Sequence, residues 1–342
     1  MEQLFDTIKT SYLSYARYLW QAIKTPSWDN YFYWLMLVSL VFLLLEWTIP
    51  WRKNQGRFRK DFWLDLFYLF FNFFLFSLII YAALSRVVVN YFNDLFRYLF
   101  HIDLTSLNPL HGAPLWLILI IGFIVRDFIQ WWIHRLLHHV PFLWKFHQVH
   151  HSVEQMGFAA HLRFHWMETV IYRTIEYIPL ALLGIGLYDF FIIHIFTLSF
   201  GHYNHSNVSV PGKYLGLVIA MLVSVPILTS SFDITILQNA SPVISILTCL
   251  FICLTGYFLL GPNVKYIFNS PEMHIWHHGY EMPEGRGRGI NFGLTLSVWD
   301  YLFKTDYMPF NGRDIKLGFP GVEKFPTSFF GQSMHGFFKN KT

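Results

Sequence analysis

Residues 126–152 read RDFIQWWIHRLLHHVPFLWKFHQVHHS. An apolar, aromatic run gives way within a few residues to histidines: His134 and His138 at i, i+4, then His147, His150 and His151 as H-x-x-H-H. On a helix, positions three and four apart share a face, so one short helix can present two or three imidazoles to a common centre. The same H-x-x-H-H pattern returns at His274, His277 and His278. Histidine fills 17 of 342 positions, and chance then supplies only about 0.04 such patterns in the chain, so two copies count as a motif.

Outward from this stretch the chain is unusually apolar. It is 54% hydrophobic and 13% charged, with 20% aromatic residues. A soluble domain carries about 25% charged residues, so the composition indicates a membrane protein whose aromatic residues suit lipid contact and interfacial belts. The net charge of +4 comes without a long basic run, which argues against nucleic acid as a partner. Cys249 and Cys253 sit in an apolar run and read as small buried hydrophobes. No short apolar core with a small-residue cleavage site opens the chain, so its first 28 residues are not read as a signal peptide. The Gly-Arg-Gly-Arg-Gly run at 285–289 lacks the Lys-Ser/Thr of a phosphate-binding loop and reads as a flexible basic turn.

Crossing a bilayer takes roughly 20 apolar residues. Stretches near that length run from Tyr31 to Ile49, Leu64 to Leu84 and Leu115 to Ile133. Val170 to Phe200 is apolar but broken near Leu187–Asp189, and Leu215 to Leu228 and Val243 to Leu260 form a further pair. Arg52, Lys53, Arg57, Arg59 and Lys60 crowd the loop after the first stretch, which the positive-inside rule assigns to the cytoplasm. Counting spans from there puts 94–112 outside and residues 134–169, 201–213 and 261–342 on the cytoplasmic face. Those three segments hold 14 of the 17 histidines. From Gly261 onward the chain is more polar, and a soluble tail is expected.

Neutral imidazole suits iron, copper, zinc and nickel alike. The eight clustered histidines exceed what one ion requires, and structural zinc would bring cysteines, so two metals fit the count. Asp127 and Gln130 precede His134 by seven and four residues, on its own helix face. The Asp127 carboxylate is placed to accept the second N–H of a ligating imidazole; a helix–helix hydrogen bond or a pair with Arg126 is the equal alternative. His165 and Glu168 sit at i, i+3, and His202 and His205 follow in GHYNHSN. Either pair can complete the ligand set or support it. His139 can substitute for His138, although it and His161 read better as interfacial histidines.

Taken in order, these motifs resemble the fatty acid hydroxylase/sterol desaturase superfamily. The resemblance runs from about Phe123 to Asp306. It rests on 126–152, RFHWME at 163–168, NHSN at 204–207, SPEMHIWHH at 270–278 and NFGLTLSVWDYLFKT at 291–305. Trp166 stands where the family usually has proline, and Lys304 where it usually has glycine. The resemblance implies a non-haem site of two ferrous ions, O2 as co-substrate, and oxidation of an unactivated lipid or sterol C–H. By analogy His134, His138, His147, His150, His151, His274, His277 and His278 match ligand positions. His205 matches the histidine that commonly joins them, and His202 is carried as a tenth candidate. His165, Glu168 and Asp127 are candidates to support the ligands.

The chain shows no dinucleotide fingerprint, iron–sulfur cysteine set or fused haem domain, so a separate electron donor is implied, a ferredoxin or a cytochrome with its reductase. The expected fold is an all-α integral membrane protein, a multi-pass helix bundle under a cytoplasmic histidine-rich helical cap that holds two metals. The expected divisions are N-terminal spans at 1–114, a catalytic unit at 115–306 and a C-terminal cytoplasmic tail at 307–342. The expected chemistry is hydroxylation, with desaturation as the alternative. A metal transporter ranks below both, because the ionisable residues lie mainly at span ends.

Overall fold

A run of large apolar side chains forms a helix in any medium that hides the backbone from water, and the longest runs here do so. The computed structural model describes residues 2–28, 30–75, 93–103, 109–228 and 241–337. Among them the chain is helical, with no strand and only two isolated antiparallel bridges, Phe268 to Leu296 and Gly279 to Leu317.

The N-terminal helix α1 spans Glu2–Lys24. Helix α2, Tyr31–Thr48, starts where the Asn30 side chain accepts from the Phe32 amide at 3.1 Å. Helix α3, Phe62–Phe70, continues through a wider turn to Leu75; the rest of the expected second span lies outside the described residues, as do 104–108 of the expected outer loop. Helix α4, Leu115–His139, is followed after Val140 by α5, Pro141–His151. Pro141 suits a first helical turn, where its missing N–H costs nothing. The apolar stretch from 170 to 200 divides into α6, Trp166–Leu182, and α7, Leu187–His205. Then come α8, Gly212–Leu228, and α9, Pro242–Thr255, which runs on through a wide turn into α10, Gly261–Ile267. The short helices α11, Pro271–His277, α12, Val298–Phe303, and α13, Phe329–Ser333, complete the order.

Among the described residues three helices are long and apolar enough to cross a membrane: Tyr31–Thr48, Leu115–His139 and Pro242–Ile267. The last corrects the expected start of the soluble tail, since the apolar helix continues seven residues beyond Leu260. Its outer face is bare: Ile246, Phe251, Phe258 and Leu259 are exposed, as lipid-facing residues are. Its inner face is glycine. A Cβ on Gly216 would fall 2.2 Å from the Gly256 carbonyl oxygen, and one on Gly256 would fall 2.3 Å from Ala220 Cβ. Two helices with small residues at their crossing approach backbone to backbone, a form of packing suited to lipid, where van der Waals contact replaces the hydrophobic drive.

The polar ends of the helices gather into one unit. The basic loop after α2 belongs to it: the Trp51 amide donates to the Asn207 carbonyl at 2.9 Å, Arg52 Nη2 to the Met156 carbonyl at 2.6 Å, and Arg59 pairs with buried Asp65. A small core of Val153, Met156, Ala160, Ile275 and Leu317 binds its layers. Residues 307–337 fold onto this unit rather than trailing from it. The Tyr280 amide donates to the Lys316 carbonyl and the Gly318 amide to the His278 carbonyl, both at 2.9 Å.

Candidate metal centre

Two breaks in the helical path bring the histidines together. The turn at Val140 folds α5 back on the end of α4, so His134 and His138 meet His147 and His151. The Ser270 hydroxyl accepts from the Met273 amide at 3.3 Å and starts α11, which delivers His274, His277 and His278. The last residue of α7 adds His205.

The imidazoles fall into two groups. His134, His138, His147, His151 and His277 form one; His150, His205, His274 and His278 form the other. Within each group the candidate ligand atoms all lie within 4.8 Å of one another. Nearest Nε2 atoms are 3.1 Å apart for His134 and His147, 3.0 Å for His151 and His277, 3.2 Å for His150 and His205, and 3.1 Å for His205 and His274.

Helix geometry explains the sorting. At about 100° per residue, positions 1 and 5 of H-x-x-H-H point about 40° apart, while position 4 points about 100° from position 5. In α5 the pair His147 and His151 therefore enters the first group and His150 the second. In α11 the roles reverse: His274 and His278 enter the second group and His277 the first.

The rings are held from behind. His134 Nδ1 donates to the Phe292 carbonyl and His277 Nδ1 to the Ile290 carbonyl, both at 2.7 Å; His205 Nδ1 donates to the Gly201 carbonyl at 2.8 Å. Each of these bonds fixes the tautomer and leaves an Nε2 lone pair facing its group. His147 Nδ1 donates to Glu168 Oε1 at 3.0 Å. The 290–293 carbonyls are set in turn by Asp300, which accepts from the Phe292 and Gly293 amides, Trp131 Nε1 and Thr305 Oγ1 at 2.6–3.0 Å.

A cation fits this donor set. Nitrogens about 2.1 Å from one ion and 90–109° apart at it lie about 3.0–3.4 Å from each other, and the observed separations fall there. Burial, reinforced by neighbouring imidazoles, holds His147, His150, His151, His274, His277 and His278 well below the usual histidine range. They are neutral, as ligands must be. Burial alone drives the Glu168 carboxyl well above its usual range. Ionised Glu168 thus needs positive charge nearby, which a metal on His147 would supply. His138 Nε2 is buried with no hydrogen-bond partner among the described residues.

Of the ten candidate ligands, nine converge and His202 does not. Its Nε2 lies 3.1 Å from Ser39 Oγ and its Nδ1 3.0 Å from His161 Nδ1, on the flank of α7 turned from the groups. His139 also turns away and donates from Nδ1 to the Arg135 carbonyl at 2.8 Å. Asp127 takes no imidazole N–H. Its carboxylate accepts from the Thr295 and Leu296 amides and Trp299 Nε1 at 2.9–3.2 Å, tying α4 to the loop before α12. Arg126 pairs with Glu176 instead. His165 uses both nitrogens: Nε2 donates to the Ser333 carbonyl at 2.8 Å, and Nδ1 accepts from the Met167 amide at 3.1 Å to cap α6. It positions Glu168 three residues on and approaches neither group. Sequence reasoning missed Asp300 and the two carbonyls. Asp300 stands in the quoted motif VWDYLFKT, but a backbone acceptor leaves no residue-type signal.

Comparison with known proteins agrees with this architecture. The fatty acid hydroxylase family model matches residues 119–223, which contain six of the nine converging histidines. The chain is 26% identical over 202 residues to the ornithine lipid hydroxylase OlsE of Rhizobium tropici, covering 59% of this chain and 45% of that protein. It is 32% identical over 191 residues to the very-long-chain aldehyde decarbonylase GL1-10 of Oryza sativa subsp. japonica, covering 55% and 46%. The chain thus spans just under half the length of these curated relatives. No solved structure matches it significantly. With the histidine motifs gathered at one site, the chain is similar over this segment to the fatty acid hydroxylase family and to a lipid hydroxylase.

Proposed function

We propose that this chain is a membrane-embedded, O2-dependent enzyme that hydroxylates a C–H bond of a lipid with two iron ions. One iron would be held by His134, His138, His147, His151 and His277, the other by His150, His205, His274 and His278. The observation that carries the reading is the convergence of nine imidazoles, eight of them buried and His138 half-buried, in two groups with ligand-like spacing. When bound, the iron pair supplies O2 activation with two electrons from an outside donor, a ferredoxin or a cytochrome with its reductase. The protein's own part is to aim lone pairs, hold the tautomers through the 290–293 carbonyls and Glu168, and keep bulk water from the reacting carbon.

The relatives' names support a lipid as substrate, since one hydroxylates an ornithine lipid and the other acts on very-long-chain aldehydes. Placement supports it too. The groups sit at the end of a 25-residue apolar helix, about 37 Å long, against a hydrocarbon core of about 30 Å. We further propose a multi-pass topology with the metal centre on the cytoplasmic face. Support comes from the basic loop 51–60, which is hydrogen-bonded into the histidine unit. In this reading 1–114 anchors, 115–306 supplies every ligand, and 307–342 covers the cytoplasmic side.

The test is metal content and O2 uptake of anaerobically purified protein, with His150→Ala and His277→Ala alongside. About two irons per chain in the wild type, with iron and lipid-dependent O2 uptake falling in both variants, is the expected result. Well-folded protein without stoichiometric metal sinks the proposal. An alkene instead of an alcohol as product moves the enzyme to the desaturases of the same scaffold.

A further inference from the structure

A cavity of about 140 Å³ runs from His205 and His274 of the second group into the helix bundle. Its volume is close to the roughly 150 Å³ void that accommodates a benzene-sized ring. It therefore takes a short segment of a lipid, and the remainder of a longer molecule lies outside it.

Two features of the wall specify that segment. Asn204 and Thr295 both line the cavity and are 2% and 1% exposed. Asn204 commits its Nδ2 to the Leu294 carbonyl, which fixes the other amide atom as an acceptor. That Oδ1 is buried without a hydrogen-bond partner among the described residues, whereas the Thr295 hydroxyl is turned to the Asp127 carboxylate. Unpaired buried oxygens cost stability, and native proteins keep few of them. The cavity also carries no spare charge. Arg126 spends Nε on Glu176 and Nη1 on Thr197 Oγ1, and its Nη2 lies 2.9 Å from His194 Nδ1. Guanidinium and carboxylate cancel within the protein.

We propose that this cavity binds an uncharged hydrogen-bond donor of the substrate, a hydroxyl or an amide N–H, at Asn204 beside the second histidine group. The inference rests on the oxygenase reading and narrows it. The substrate is a neutral polar lipid whose reacting carbon lies near its hydroxyl or amide, not a bare hydrocarbon and not a free acid. A hydroxyl or an amide N–H gives its proton to Asn204 Oδ1. A carboxylate has no proton for Asn204 and finds its charge already answered.

The test measures binding without turnover. The purified full-length chain in a fixed detergent is titrated with 1-dodecanol, n-dodecane and dodecanoate, and thermal-midpoint shifts give each affinity. 1-Dodecanol should bind about three- to ten-fold more tightly than n-dodecane, the worth of one net hydrogen bond, and dodecanoate no more tightly than n-dodecane. Asn204→Leu should erase that advantage, and Thr295→Val, which leaves Asn204 in place, should keep it. Equal binding of alcohol and alkane by the wild type, tightest binding of dodecanoate, or an undiminished alcohol preference in Asn204→Leu overturns the proposal. Because no oxidation is read, a protein that prefers the alcohol but never consumes O2 refutes the oxygenase reading and leaves the subsite standing.

Discussion

Replacing Glu168 with Gln isolates what a carboxylate behind a ligand contributes. The side chain is buried, its Oε1 is 3.0 Å from His147 Nδ1, and the hydrogen bond is fully enclosed. Gln keeps the volume and an acceptor oxygen but removes the charge that would balance a cation across the imidazole. Supporting acceptors of this kind are worth about 10- to 100-fold in metal affinity, or about 1.4–2.7 kcal/mol. The loss should fall on one group only, since His147 belongs to the five-histidine set and Glu168 touches no member of the other. In the metal-free protein the sign reverses. Burial disfavours the Glu168 anion, so Glu168→Gln should leave metal-free stability unchanged or slightly higher. The assay is iron titration against a chelator of known affinity, with iron per chain counted at intermediate chelator strength. One iron per chain should be retained where the wild type retains two. A variant that holds both irons with unchanged affinity refutes the claim that this carboxylate supports the first group.

Other expectations follow from particular contacts. His202→Gln should keep both irons, whereas His205→Gln should weaken the second, because only His205 faces a group; iron counting on the two purified variants decides it. Asp300→Ala strips the acceptor from four buried donors and should cost about 3 kcal/mol or more, seen as a lower thermal midpoint together with weaker iron binding through the freed 290–293 carbonyls. Lys304 ends α12 at φ 57°, in the left-handed region where the family's usual glycine is at ease; Lys304→Gly should stabilise by roughly 0.5–1 kcal/mol in the same assay. Burial lowers His165 to about 4, so as pH falls through about 6.5 the unfolded chain binds its proton first. The stability due to this residue is therefore complete above about pH 6.5 and lost toward pH 4 at about 1.4 kcal/mol per pH unit. His165→Asn, which can still cap α6, should flatten the acid limb of wild-type stability by that slope, and equal slopes would reject the assignment.

How much of this was legible beforehand depends on what kind of atom does the work. Imidazoles at helical spacing announce themselves, and so do apolar runs of bilayer length. His202 and His205 could not be separated by type or spacing, because both follow the same apolar run; their three-residue offset turns one inward and the other toward Ser39. Asp127 sits on the ligand face of α4, yet a whole loop lies between it and the histidines, and that loop's amides take its oxygens first. How the C-terminal segment packs is not legible, because polar, Gly- and Pro-rich sequence looks alike whether it lies free in solvent or packs on a buried site. Here Ser333, far along it, accepts from His165. The carbonyls of Ile290 and Phe292 were invisible in principle, since any residue would supply them.

The reciprocal sorting of the two H-x-x-H-H motifs has a mechanical consequence. If each motif served one metal, the two sites would be separate and could be filled or lost separately. Instead α5 sends two rings to the first group and one to the second, while α11 does the opposite. A shift of either short helix moves ligands of both groups at once, and only α4 and α7 contribute to one group each. The spacing between the two groups is therefore set by the bodies of two helices, not by flexible side chains. It follows that ligand substitutions on α5 and α11 should spread beyond their own group, whereas those on α4 or α7 should not. His277→Ala, on α11, should weaken the second iron as well as the first. His134→Ala, on α4, should empty the first group and leave the second near wild-type affinity. Iron counts at graded chelator strength distinguish the two variants, and identical retention of the second iron in both would show that the groups are independent.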